Sequence, residues 1–118
     1  EAWCRIAFAD YRANPLIYAE NLYLNGELVT DLVIPNGVES IGQYAFYDCT
    51  SLKSISLPEG IETIGDMAFE LCTNLEHIKI PSSVKSIGTR AFFSCYNLLP
   101  IEIPKTITSI GDYAFDAT

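Results

Sequence analysis

The chain has 118 residues, with seven Lys and Arg against fifteen Asp and Glu, a net charge of −8 and 49% hydrophobic positions. That length suits one domain or a piece of a longer array, and seven Tyr with six Phe supply anchors for a core, which argues against disorder. No apolar run approaches the ~18 residues of a membrane span, and a pI near 4.4 without a basic stripe argues against nucleic acid and anionic membrane surfaces.

Glu1 is no initiator, and no charged-then-apolar leader precedes it. Any targeting segment is therefore expected outside this stretch. Trp3, Ile6 and Phe8 have the spacing of Leu52, Ile55 and Leu57 further on, so an early strand is expected at the start. Residues 1–31 otherwise read as an irregular first coil. Asn25-Gly26 lies between Leu22-Tyr23-Leu24 and Leu28-Val29. Both turn residues tolerate the positive φ of a type I′ turn, which predicts a hairpin leading into Leu32-Val33-Ile34.

Residues 32–118 then repeat with a period of 23: Pro35, Pro58, Pro81 and Pro104 stand at that interval, as do Gly42, Gly65, Gly88 and Gly111. Phe46, Phe69, Phe92 and Phe115 form another such column, and Cys49, Cys72 and Cys95 a further one that ends in Thr118. The unit reads L-x-x-I-x-[IL]-P-x-x-[VI]-x-x-I-G-x-x-A-F-x-x-C-x-x. So short a unit buries too little apolar surface to offset the entropy of ordering its backbone, so neighbouring coils must share one core. A solenoid follows.

Within each coil, I-x-[IL] before proline alternates like a strand with one buried face, and in-register stacking makes a parallel sheet. Proline lacks an amide donor and is expected to close that strand. The [VI]-x-x-I-G segment turns a corner and offers a second short strand on the opposite side. Its glycine serves either a positive φ or a close backbone approach. In G-x-x-A-F-x-x-C the spacing of Ala, Phe and Cys predicts one short helical turn. The fold class is thus an α/β repeat solenoid, and the chain reads as one domain, a segment of a longer array with unfinished edges. Edge-to-edge self-association of such a segment is a possible outcome.

The repeat, through I-P-x-x-V-x-x-I-G-x-x-A-F-x-x-C and L-x-x-I-x-I-P over residues 32–118, resembles the BspA-like leucine-rich repeats, found mainly in bacterial surface proteins. That resemblance implies a right-handed superhelix with a parallel sheet on one side. It also implies a secreted or cell-surface module for protein binding or adhesion, within long multidomain proteins.

Candidate chemistry is sparse. The cysteine column would hold side chains ~4.8 Å apart, against the ~3.8 Å Cβ separation of a disulfide, so no disulfide is expected and a buried thiol ladder is. Cys4 falls outside that ladder and its state is open. No C-x2-4-C or His spacing suits a metal, no motif calls for a cofactor, and no catalytic residue is assigned. His77 points outward while the thiols point inward, so nucleophile and base cannot meet.

A ligand-binding face is expected at strand positions turned from the core: Arg5, Asp31, Ser54, Ser56, His77, Lys79 and Glu102, with Ala7, Val33 and Pro100 between them. Taken by itself, the strip reads first as a plain solvated surface and second as a contact surface. A second strip on the turn side holds Tyr44, Met67, Arg90 and Tyr113 with Tyr47, Glu70, Phe93 and Asp116, expected as half-buried shoulder residues. The leading functional expectation is a non-enzymatic module that binds a protein or glycan. The alternatives are a structural spacer and an accessory repeat region of a larger surface enzyme.

Overall fold

The structure, a computed structural model, describes residues 21–118. The early strand expected near Trp3, Ile6 and Phe8, together with Arg5 and Cys4, lies outside the described residues.

The first elements among the described residues are β1 (Tyr23–Leu24) and β2 (Glu27–Leu28), paired antiparallel with Tyr23 opposite Leu28. Asn25 and Gly26 hold φ values of 53° and 81°, so the expected hairpin forms on the positive-φ tolerance of these two residues.

Two parallel sheets follow, one from each side of the repeat. The first contains β3 (Asp31–Val33), β5 (Ser54–Ser56) and β7 (His77–Ile78), with Leu32, Ile55 and Ile78 in register. The second contains β4 (Ser40–Ile41), β6 (Thr63–Ile64), β8 (Ser86–Ile87) and β9 (Ser109–Ile110), with Ile41, Ile64, Ile87 and Ile110 in register. The corner segment therefore does form the second short strand.

The first sheet stops one strand early. The period predicts that Ile101 and Ile103 continue it, yet no strand forms there. Pro100 supplies the reason. In the preceding repeats the Ser54 and His77 amides donate to Thr30 O and Lys53 O, each at 3.1 Å. Pro100 takes that place without an N–H, so only the Leu99 amide reaches back, to Glu76 O at 3.0 Å. Pro100→Ser should restore the missing donor and extend the sheet. Slower amide exchange at residues 100–103 would show it, and unchanged exchange there would refute it.

No helix occurs among the described residues, which corrects the α/β assignment and the expected helical turn. The amides of Tyr44, Phe46 and Asp48 donate to Asp66 O, Ala68 O and Glu70 O of the next repeat, while those of Ala45, Tyr47 and Cys49 bond within their own repeat to Gly42 O, Tyr44 O and Phe46 O. Half of the donors thus face along the stack, and a helix, which sends every amide to its own segment, cannot satisfy that alternation. The backbone achieves it with left-handed residues: Tyr44, Met67, Arg90 and Tyr113 have φ of 53–58°, and Asp48, Leu71, Ser94 and Ala117 have φ of 56–64°.

The core runs between the two sheets as columns. The rings of Phe46, Phe69, Phe92 and Phe115 stack in succession with centroids 5.4, 5.3 and 5.2 Å apart and nearly parallel planes. Ala45, Ala68 and Ala91 keep the turn close to them, and Leu52, Leu75, Ile41, Ile64 and Ile87 fill the remainder, all buried. The glycine column serves close approach. A Cβ at Gly65 would lie 2.7 Å from Gln43 N and 2.8 Å from the Gly42 carbonyl carbon. The positive-φ glycines of the repeats are instead Gly37 and Gly60.

Candidate functional site

The parallel pairing of β3, β5 and β7 turns every second side chain outward and aligns those from successive repeats. Asp31 and Val33, Ser54 and Ser56, then His77 and Lys79 make two outward columns. Ser54 Oγ donates to Asp31 Oδ1 one repeat earlier, which fixes the carboxylate against the sheet. Val33 stands 72% exposed beside it.

A shallow groove of about 460 Å³ crosses three successive repeats, lined by Ser54 and Ser56, then His77 and Lys79, then Leu99 and Pro100. His77 Nε2 is 3.8 Å from Glu76 Oε2, and both side chains are about half or more in solvent, where such a pair is worth little. The groove therefore presents an imidazole and an ammonium free to contact a ligand. Glu102 lies off this groove, in an adjoining recess shared with Lys79, Pro104 and Lys105. Of the expected contact residues, the structure brings Ser54, Ser56, His77 and Lys79 together, tethers Asp31 at the edge, and sets Glu102 apart.

The thiols are more than filler. Cys72 Sγ–H donates to Phe46 O at 3.1 Å, and Cys95 Sγ–H to Phe69 O at 3.2 Å, each across a repeat boundary. Cys49 Sγ lies 3.7 Å from Ser51 Oγ. All three are free and fully buried. Burial pushes every one of these thiols up, Cys95 to about 12, with the backbone contact of Cys72 pulling weakly the other way. The thiolate is the reactive form, so these three cysteines should remain silent towards Ellman's reagent at pH 8 and react only in guanidinium. Rapid native labelling at any of them would contradict the ladder. In the fourth repeat Thr118 Oγ1 donates to Phe115 O at 2.8 Å, a local bond where Cys72 and Cys95 make one between repeats.

On the turn side, Tyr44 and Tyr47 pack edge to face with centroids 5.7 Å apart. Arg90 lies 4.2 Å above the Phe93 ring. Glu70, expected as a half-buried shoulder, is only 4% exposed and pairs through Oε1 with Arg90 Nη2 at 3.0 Å. Its Oε2 has no partner among the described residues. Burial raises the Glu70 carboxyl pKa, and the Arg90 charge opposes the shift. The residues are twenty apart in sequence, a diagonal across the repeat boundary that the column reading does not reveal.

No group of three His, Cys, Asp or Glu able to hold a metal occurs among the described residues. No helix among them is long and apolar enough to cross a membrane.

A family model described as the BspA type leucine rich repeat region matches residues 18–118 in six copies. Among solved structures, the chain is similar to a leucine-rich repeat protein of T. pallidum, at 38% identity and a TM-score of 0.72 over 74% of this chain and 41% of that one. It is also similar to a leucine-rich repeat protein from Bacteroides ovatus, at 39% identity and a TM-score of 0.66 over 74% of this chain and 22% of that one. The chain thus spans less than half the length of either. No curated protein matches it. The 23-residue columns, the two parallel sheets and the family match agree, and the chain belongs to the BspA-type leucine-rich repeat family.

Proposed function

We propose that this chain is a non-enzymatic recognition module of a secreted or cell-surface protein, and that the β3–β5–β7 face contacts a protein or glycan. Its repeats belong to a longer right-handed superhelical array. The observation that carries this reading is the groove lined by Ser54, Ser56, His77 and Lys79, a preformed contact surface on the sheet. The exposed imidazole and ammonium offer hydrogen-bond donors to carbonyl, carboxylate or sugar hydroxyl groups. Membership in a family typical of bacterial surface proteins supports the location.

A surface-plasmon survey of extracellular-matrix and host-surface ligands should find a partner whose binding weakens when His77→Ala and Lys79→Ala are combined. Undiminished binding by the double variant would remove this face from the mechanism. The spacer reading has one observation in its favour: Asp31, Val33, Ser54, Ser56, His77 and Lys79 include none of the Tyr, Trp and Arg anchors that dominate tight interfaces. A survey that finds no partner for the wild-type chain favours the spacer.

A further inference from the structure

The repeats are close to interchangeable. Tyr44, Met67 and Arg90 send their amides to Asp66 O, Thr89 O and Asp112 O at 3.0, 2.9 and 2.9 Å, and the phenylalanine stack has nearly the same spacing at every boundary. Backbone and core would therefore accept a repeat stacked out of order, with one repeat looped out or supplied by a second chain. Repeat proteins can nucleate anywhere and propagate, and such misassembly is their characteristic failure.

One contact breaks the degeneracy. Glu70 occupies the place of Tyr47 one repeat earlier and Phe93 one repeat later, while Arg90 occupies that of Met67 and Tyr113. Among the described residues, only at this boundary does a buried carboxylate meet a guanidinium across the stack. A slip that set Arg90 against Tyr47 would leave the guanidinium without its carboxylate, and one that set Tyr113 against Glu70 would bury the carboxylate without its guanidinium, its Oε2 already lacking a partner among the described residues. An unpaired buried charge is heavily penalised, whereas replacing a whole buried pair with apolar groups is often neutral. The pair thus adds little to the correct stack and much against the incorrect one. We propose that the Glu70–Arg90 pair is a register key that fixes the order in which successive repeats stack during folding.

The test follows the full chain refolding from guanidinium at two concentrations, reading slow-phase amplitude and chain-swapped dimer by light scattering. Glu70→Tyr with Arg90→Met, the residues found one repeat earlier, removes the key and is expected to raise both readings several-fold. Adding Tyr47→Glu with Met67→Arg to the native chain duplicates the key, makes the boundaries equivalent again, and should also raise them. The reversed pair, Tyr47→Arg with Met67→Glu, would bring two guanidinium groups together in a slip and should refold like the wild type. Should the keyless variant fail to fold, the duplicated and reversed pairs decide alone. Duplicated and reversed chains that refold alike would overturn the proposal, as would a folded keyless chain that refolds like the wild type.

Discussion

Phe69→Ala is expected to cost about 3–5 kcal/mol, the range for emptying a fully buried aromatic position. The ring is wholly buried and stacked on both faces, against Phe46 on one side and Phe92 on the other. Its loss removes contact at two repeat boundaries at once. The left-handed turns and the bonds between repeats that hold Ala68 and Ala91 in place also hinder the walls from collapsing into the space. Guanidinium melts of the full chain would measure the effect. Phe115→Ala supplies the internal comparison, since that ring stacks on Phe92 and is partly exposed. A Phe115→Ala cost equal to that of Phe69→Ala would show that stacking on two sides is not what the column contributes.

Gly88→Ala is expected to destabilise by about 3 kcal/mol, the upper part of the usual range for overpacking. The added Cβ would sit 2.5 Å from Asp66 N and 2.6 Å from the Gly65 carbonyl carbon. Both are main-chain atoms of a segment bonded to the preceding repeat through Gly65 N–H to Ile41 O and Tyr44 N–H to Asp66 O, and neither can swing away as a side chain can. Asp66 also accepts the Thr89 amide through Oδ1 at 2.8 Å, so widening this boundary breaks a bond made by the adjacent residue. Gly60→Ala is the matched control: its φ of +107° imposes backbone strain, but no atom lies within 4 Å of the new Cβ. Thermal melts of both variants should place Gly88→Ala clearly below Gly60→Ala. Equal melting would mean that close approach is not what the glycine column supplies.

The columns are legible in the sequence because a side chain repeated at a constant interval can be buried at every boundary only if the repeats stack directly. Phe46, Phe69 and Phe92, with Cys49, Cys72 and Cys95, lie in the interior as that logic requires. The turn segment escapes such a reading because Ala, Phe and Cys at helical spacing record only which side chains face inward. They do not record where the amides go. A left-handed Tyr44 or Leu71 carries no compositional mark, as glycine would. Pro100 looks like one more outward position, whereas its effect is on the main chain, where a missing donor ends a sheet. On the candidate face, alternation aligns Ser54 with His77, but it does not show that the groove runs on past Lys79 to Leu99 and Pro100. Nor does it show that Glu102, past the last strand of that sheet, falls outside the groove.

The alternation of amides along the turn segment has a mechanical consequence. Hydrogen bonds that join neighbouring repeats run parallel to the stacking direction on the turn side as well as through both sheets. A load applied to the chain ends pulls on one boundary at a time, peeling its bonds in tension instead of shearing a whole sheet. Extension then proceeds in discrete steps, each releasing on the order of 80 Å of contour as one repeat unravels at ~3.3–3.6 Å per residue.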